Sequence, residues 1–411
     1  MLLAAVVGFS SSATPWFNGL NIPWNSFGAD IGAGQYNAHW FNSYFAGAAA
    51  NGTNVARFWL HADGNRGGLL YAGDGSVSGL NASFVSDLRA LVTSAAQHKV
   101  VLQVCLWSFD MCKNSEFPGQ TLRTDLISDK AKTVSYVEKA LKPLLKALQP
   151  ADAVPAGAAL VEVINEPEWC MHVDGGCTAD ACVEVAQMQR FVGAVAEAVH
   201  AAGLKVTTGS ASLKWNAAGG SGTGNLWSDE ALQAASSSGS PEAKLDHYQV
   251  HYYDWMYNPS WGYDPCRQNL TYWQLTDKPV VVGELPANSK QYSAGGMMDC
   301  ALQNGFAGDM FWAFNDPGFP VDPAVEALST FQRAHGDIAS YEALRSWLAQ
   351  PTPVPVPTPA PAPTPCKDVA PDGQYTCAQQ ASWGKCDTKA NPWMAGFCCK
   401  TCFNCAVQCG K

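Results

Sequence analysis

LVEVINEPEW, residues 160–169, starts as a buried-type strand and ends in charge. Its β-branched first half suits a strand covered on both faces, and Pro167, which cannot donate to a ladder, marks the strand's end. Asn165, Glu166 and Glu168 therefore lie at or just past the lip of a sheet. VVVGELP, residues 280–286, repeats the pattern, with Glu284 closing an apolar run and Pro286 two residues later.

Further apolar runs fall at 20–24, 54–60, 100–107, 205–210, 247–253 and 310–314, which makes eight strand candidates. Amphipathic segments at 84–99, 132–148 and 183–203 separate them, with apolar residues at helical spacing and Gly203 as a C-cap. Eight strands alternating with helices over the first 350 residues predict an α/β chain folded as a (β/α)8 TIM barrel. A doubly wound open sheet is the alternative. The barrel is favoured because nearly every strand ends in a polar or aromatic residue, and in a barrel those ends share one face.

That geometry would bring Arg57, Trp107, Asn165, Glu166, His251, Tyr253, Glu284 and Trp312 around one pocket. Two carboxylates facing each other there are what cleavage of a glycosidic bond needs, one to donate a proton and one as nucleophile or base. Arg57 sits in an apolar strand and must find a carboxylate. His251 and Tyr253 alternate, so they point to one side. Glu168, past the strand, reads instead as an exposed loop carboxylate. Trp24, Trp107, Trp169, Trp215, Trp255, Trp261 and Trp312, at or beyond strand ends, read as platforms for sugar rings. The Gly-rich stretch 219–224 lacks the lysine of a phosphate loop and reads as a loop.

Lys and Arg number 25 against 35 Asp and Glu, a net charge of −10, so neither nucleic acid nor an anionic membrane is an expected partner. No stretch has the ~18 apolar residues of a membrane span. The 15 cysteines suit an oxidising compartment, and the protein reads as secreted, with residues 1–13 the remnant of a secretory signal. Three sequons, at Asn51, Asn81 and Asn269, agree with export. Cys170, His172, Cys177 and Cys182 resemble a zinc set only loosely, and a disulfide-pinned loop is the expectation. Cys105, inside a strand and one of an odd seven in the barrel, is expected to be a free thiol. No metal or cofactor is called for.

Residues 14–350 thus form the catalytic domain. PTPVPVPTPAPAPTP, residues 351–365, is a polyproline II spacer of about 45 Å at ~3.1 Å per residue. Residues 366–411 hold eight cysteines, enough to staple a module whose core is too small to stand alone.

Six segments, NIPWNSFGADIG, NVARFWLHADG, VINEPEW, LDHYQVHYYDW, VVVGELP and FWAFNDPG, together resemble glycoside hydrolase family five over residues 15 to about 345. Within that family they are most similar to endo-β-1,4-mannanases, including the branch known from molluscs. The resemblance implies that Glu166 is the acid/base, Glu284 the nucleophile, and Arg57, His251, Tyr253 and Trp312 their supports. Asn165 would bond the sugar 2-hydroxyl. Glu166 would be kept protonated by its neighbours' negative charge, and Arg57 would keep Glu284 ionised. The segment VCLWSFDMC departs from the family pattern, in which many members carry a His near the end of the third strand. The tail resembles the ShK-toxin-like domain through Cys366, Cys377, Cys386, Cys398, Cys402 and Cys405, with Trp383 and Met394 at their usual places. Cys399 and Cys409 would add a fourth bridge.

The sequence thus predicts a secreted, monomeric, retaining endo-β-1,4-mannanase acting on β-mannan or glucomannan, its tail binding cell-wall polysaccharide through Trp383 and Trp393. A β-1,4-glucanase is the rival within the class. A catalytically inactive carbohydrate-binding protein is the rival outside it.

Overall fold

Parallel pairing of eight strands closes a barrel in the computed structural model, which describes residues 14–113, 121–351 and, in the C-terminal segment, 368, 370, 374–387, 390, 391, 397, 398, 401 and 402. The strands are β1 (Phe17–Asn21), β2 (Val55–Ala62), β5 (Val101–Ser108), β6 (Ala159–Asn165), β7 (Val206–Ser210), β8 (Tyr248–His251), β9 (Val280–Pro286) and β10 (Gly308–Trp312), and β10 pairs with β1 to complete the ring. An antiparallel hairpin that the sequence reading missed, β3 (Leu69–Tyr71) and β4 (Val77–Leu80), stands in the connection after β2. The closed ring excludes the open sheet.

The first and last strands begin earlier than the apolar runs suggest. Phe17 pairs with Gly308 and Gly19 with Met310, so Phe17, Gly19 and Gly308, which lie ahead of the two runs, take part in closing the ring. Gly19 is required there, because a Cβ on it would lie 2.3 Å from Met310 Cγ. Helices at Phe84–Gln97 and Val185–Ala201 lie where the periodicity places them. A capping box between Glu184 and Gln187 starts the latter, and Gly203 leaves it at φ 74°.

Strand alternation sorts the barrel interior into two layers. Phe17, Val55, Val101, Leu160, Val281 and Met310 form an apolar plug at the N-terminal ends. Two residues further along their strands stand Arg57, Gln103 and Glu162, all fully buried, so the upper interior is a polar layer.

The chain divides into two compact units, Met1–Thr352 and Pro353–Lys411. In the first, Cys112–Cys170, Cys177–Cys182 and Cys266–Cys300 are disulfides, and Cys105 is a buried free thiol, as the odd count anticipated. In the second, Cys377–Cys398 and Cys386–Cys402 are joined. Residues 1–13, residues 352–365, Cys366, Trp393, Met394, Cys399, Cys405 and Cys409 lie outside the described residues. Among those described, no helix is long and apolar enough to cross a membrane.

Candidate active site

Arg57 organises the C-terminal end of the barrel. Its Nε and Nη2 donate to Glu162 at 2.5 and 2.7 Å, Nη1 donates to Glu284 Oε1 at 2.6 Å and to Asn21 Oδ1 at 2.9 Å, and Nη2 also reaches Asn165 Oδ1 at 2.7 Å. One fully buried guanidinium therefore spans β1, β2, β6 and β9. Burial acts to raise Glu162, but the charge and hydrogen bonds of Arg57 outweigh it and hold the carboxyl below its ordinary range. Gln103 adds a donor to Glu162 at 2.8 Å. Gly209 leaves room for this layer, since a Cβ there would lie 2.3 Å from Glu162 Oε1.

The two carboxylates first read from strand ends meet above this layer. One carboxyl oxygen each of Glu166 and Glu284, with a His251 ring nitrogen, fall within 4.8 Å of one another. Three such groups could also hold a cation, but the Arg57 guanidinium already supplies positive charge to Glu284, and the donors around the trio hold the carboxylates in place. His251 Nδ1 lies 2.9 Å from Glu166 Oε1, and Tyr253 donates to Glu284 Oε2 at 2.7 Å. Gln249 Nε2, its own oxygen taken by Gln103, faces His251 Nε2 at 3.5 Å, which assigns the ring proton to Nδ1. Burial pushes that imidazole down to about 4.

Glu166 occupies a left-handed backbone position, φ 49°, that turns it off the strand. Burial pushes its carboxyl up to about 7 against the Trp169 indole, which donates to Oε2 at 2.8 Å. Desolvation, rather than the expected negative charge of neighbours, is the larger cause; Asp110 contributes less. Burial raises Glu284 as well, and His251 and Arg57 oppose it. Arg57 thus pulls Glu284 toward its charged form without overcoming burial, a correction to the simple expectation.

These residues floor a cleft of about 520 Å³ walled by Trp24, Phe27, Trp59, Phe109, Trp169, Trp255, Trp312 and Phe319. Trp255 is 49% exposed and Trp312 8%. Trp59, Phe27 and Phe319 escaped the sequence reading, as did Glu162, Gln103 and Gln249. The phase of alternation could have found the polar three, because each lies two residues from an inward-facing neighbour.

Three expectations are overturned, those for Trp107, Trp215 and Glu168. Trp107 does not line the cleft: β2 runs on to Ala62, which pairs with Trp107, and the rings of His61 and Tyr136 cover the indole at 4.9 and 5.1 Å. It is core, as is the fully buried Trp215, while Trp261 packs on Trp215 and Trp255. Glu168 is not exposed but fully buried, because the turn Pro167–Cys170 points it inward to the end of β7.

No family model matches the chain. It is 27% identical over 326 residues to the mannan endo-1,4-beta-mannosidase of Mytilus edulis, covering 73% of this chain and 84% of that protein. It is 26% identical over 350 residues to that of Cryptopygus antarcticus, covering 78% and 86%. The X-ray structure of the Mytilus edulis beta-mannanase superposes with a TM-score of 0.69 at 25% identity, over 80% of this chain and 94% of that one. Closed barrel, facing carboxylates and these relatives agree: in sequence and in fold the chain is similar to mannan endo-1,4-beta-mannosidases.

Proposed function

We propose that the protein is a secreted, retaining endo-β-1,4-mannanase. The carrying observation is the approach of Glu166 and Glu284 oxygens to within 4.8 Å in an aromatic-walled cleft, on a chain whose relatives are mannan endo-1,4-beta-mannosidases. Retention needs carboxyl groups ~5–5.5 Å apart and inversion ~6.5–9.5 Å, to admit water. The observed approach supports retention.

Glu284, held by Arg57 and Tyr253, attacks the anomeric carbon while Glu166 gives its proton to the leaving glycosidic oxygen. The product is a glycosyl ester on Glu284 and a Glu166 carboxylate. That carboxylate takes a proton from a water whose oxygen attacks the anomeric carbon, and the ester bond to Glu284 breaks. Burial of Glu166 supports the acid role, since a carboxyl near 7 carries a proton at working pH and can give it up. Asn165, its oxygen taken by Arg57, offers its amide N–H to the sugar 2-hydroxyl. The test is release of reducing ends from mannan, glucomannan and carboxymethylcellulose at matched chain length. Mannan or glucomannan should be cleaved well above carboxymethylcellulose. Equal or reversed rates would favour the glucanase, and no release the inactive binding protein.

Three disulfides in the barrel unit support export. The C-terminal module is a tether to insoluble polysaccharide in this reading. Trp383, 50% exposed beside Tyr375, has the accessibility a sugar-stacking residue needs. Ending the chain at Gln350 should leave hydrolysis of soluble oligosaccharides unchanged and lower that of insoluble mannan several-fold. If both rates are unchanged, the tether role is wrong.

A further inference from the structure

The carboxylate two residues beyond Glu166 is fully buried and accepts three hydrogen bonds from elsewhere in the fold. Glu168 Oε1 accepts from Ser210 Oγ at 2.7 Å and from Trp227 Nε1 at 2.9 Å, and Oε2 accepts from the Ala211 amide at 2.9 Å. Burial pushes this carboxyl up to about 7, and the three donors oppose that by favouring its ionised form. The same short turn is tied to β7 a second time, by the Glu166 amide donating to the Gly209 carbonyl at 2.6 Å. Its outer side is held by the Glu168 carbonyl, which accepts from Met171 and Cys177, and by the disulfide from Cys170 to Cys112. Between these anchors stands Trp169, whose indole donates to Glu166 Oε2.

We propose that Glu168 is a positioning residue for the acid/base: by fastening the 167–170 turn to the end of β7 it keeps the Trp169 indole on Glu166, and so sets the proton affinity of that carboxyl. This rests on the reading of Glu166 as acid/base. The indole N–H bonds the charged form of Glu166 better than the neutral one and lowers its proton affinity. Losing that bond therefore raises it, and the alkaline limb of the activity profile, where the acid loses its proton, moves to higher pH. The titratable and charged groups facing Glu166 from other elements, Arg57, His251, Glu284, Asp110 and Lys113, are unaltered in the variants below.

Glu168→Gln sets an amide NH2 against one of three donors and breaks at least one anchor. Its alkaline limb of kcat/KM on a manno-oligosaccharide, whose leaving oxygen needs the proton, should rise by roughly half to one pH unit, the worth of about one hydrogen bond. Trp169→Phe should show the same rise, and the double variant no more than Trp169→Phe alone, because both act through one bond. Trp227→Phe removes a single donor and gives the same direction with a smaller shift, which keeps the test open where Glu168→Gln fails to fold. Glu168→Asp, which keeps the charge, should restore part of the wild-type profile. A fall in kcat with the alkaline limb unmoved, or additive shifts in the double variant, would overturn the proposal. Glu166→Gln separates the two readings: if it keeps the alkaline limb, the acid/base assignment fails, and if it loses that limb while the Glu168 variants leave it unmoved, only this inference fails.

Discussion

Glu284→Gln should lose turnover on every substrate, by about 10⁴-fold or more, because without the carboxylate no glycosyl ester forms and both chemical steps are lost. The side chain keeps its volume and the barrel keeps its fold, so the loss is chemical. Glu166→Gln should behave differently. Natural mannan needs protonation of its leaving oxygen, and its hydrolysis should fall by roughly 10²–10⁴-fold. An aryl mannoside with an acidic leaving group needs no such help and should still form the ester, giving a burst of aryl alcohol followed by slow release of the sugar. Rapid-mixing kinetics on that substrate measure the contrast. Wild-type-like turnover in the Glu284 variant on any substrate removes it as nucleophile.

Replacing Arg57 should have the largest effect on stability. Arg57→Met leaves Glu162, fully buried, and Glu284, 3% exposed, without their cation. Breaking a buried pair in this way costs about 3–5 kcal/mol at neutral pH. The cost should depend on pH in a stated direction. In the native protein Glu162 is held below its ordinary range, so its contribution is present above the unfolded value of ~4.3 and is lost as pH falls through the lower folded value. Without Arg57, burial raises the same carboxyl, and a raised group stabilises below its unfolded value and loses that contribution as pH rises. The deficit between variant and native protein should be widest near neutral pH and narrow toward pH 4. Denaturant melts at several pH values check this, and a deficit independent of pH would mean that the pairing contributes little.

How much of this was legible without coordinates depends on the kind of signal. Glu166 and Glu284 could be read because each ends an apolar run before a proline, a pattern that local chain chemistry imposes whatever the partner strands are. Arg57, His251 and Tyr253 were legible for a related reason, since a charged or polar group in a buried strand has to be satisfied nearby. Helix positions followed from periodicity, and the free Cys105 from an odd count.

The failures share a cause as well. Trp107 and Glu168 each lie just past a point where the sequence stops dictating direction. Trp107 sits where β2 extends further than its apolar run and covers it, and Glu168 sits in a turn whose sense depends on a left-handed Glu166 and on donors supplied by β7 and Trp227. The sequence by itself determined the eight-strand rhythm and the end of the barrel where Glu166 and Glu284 lie, because these follow from side-chain period and from the backbone limits of proline. Only the tertiary structure decided that one guanidinium joins Glu162 to Glu284, that desolvation raises Glu166, and which tryptophans face the cleft. Those depend on closing the ring, which sets Arg57 and Glu284, 227 positions apart, within 2.6 Å, and no local pattern in the chain encodes that approach.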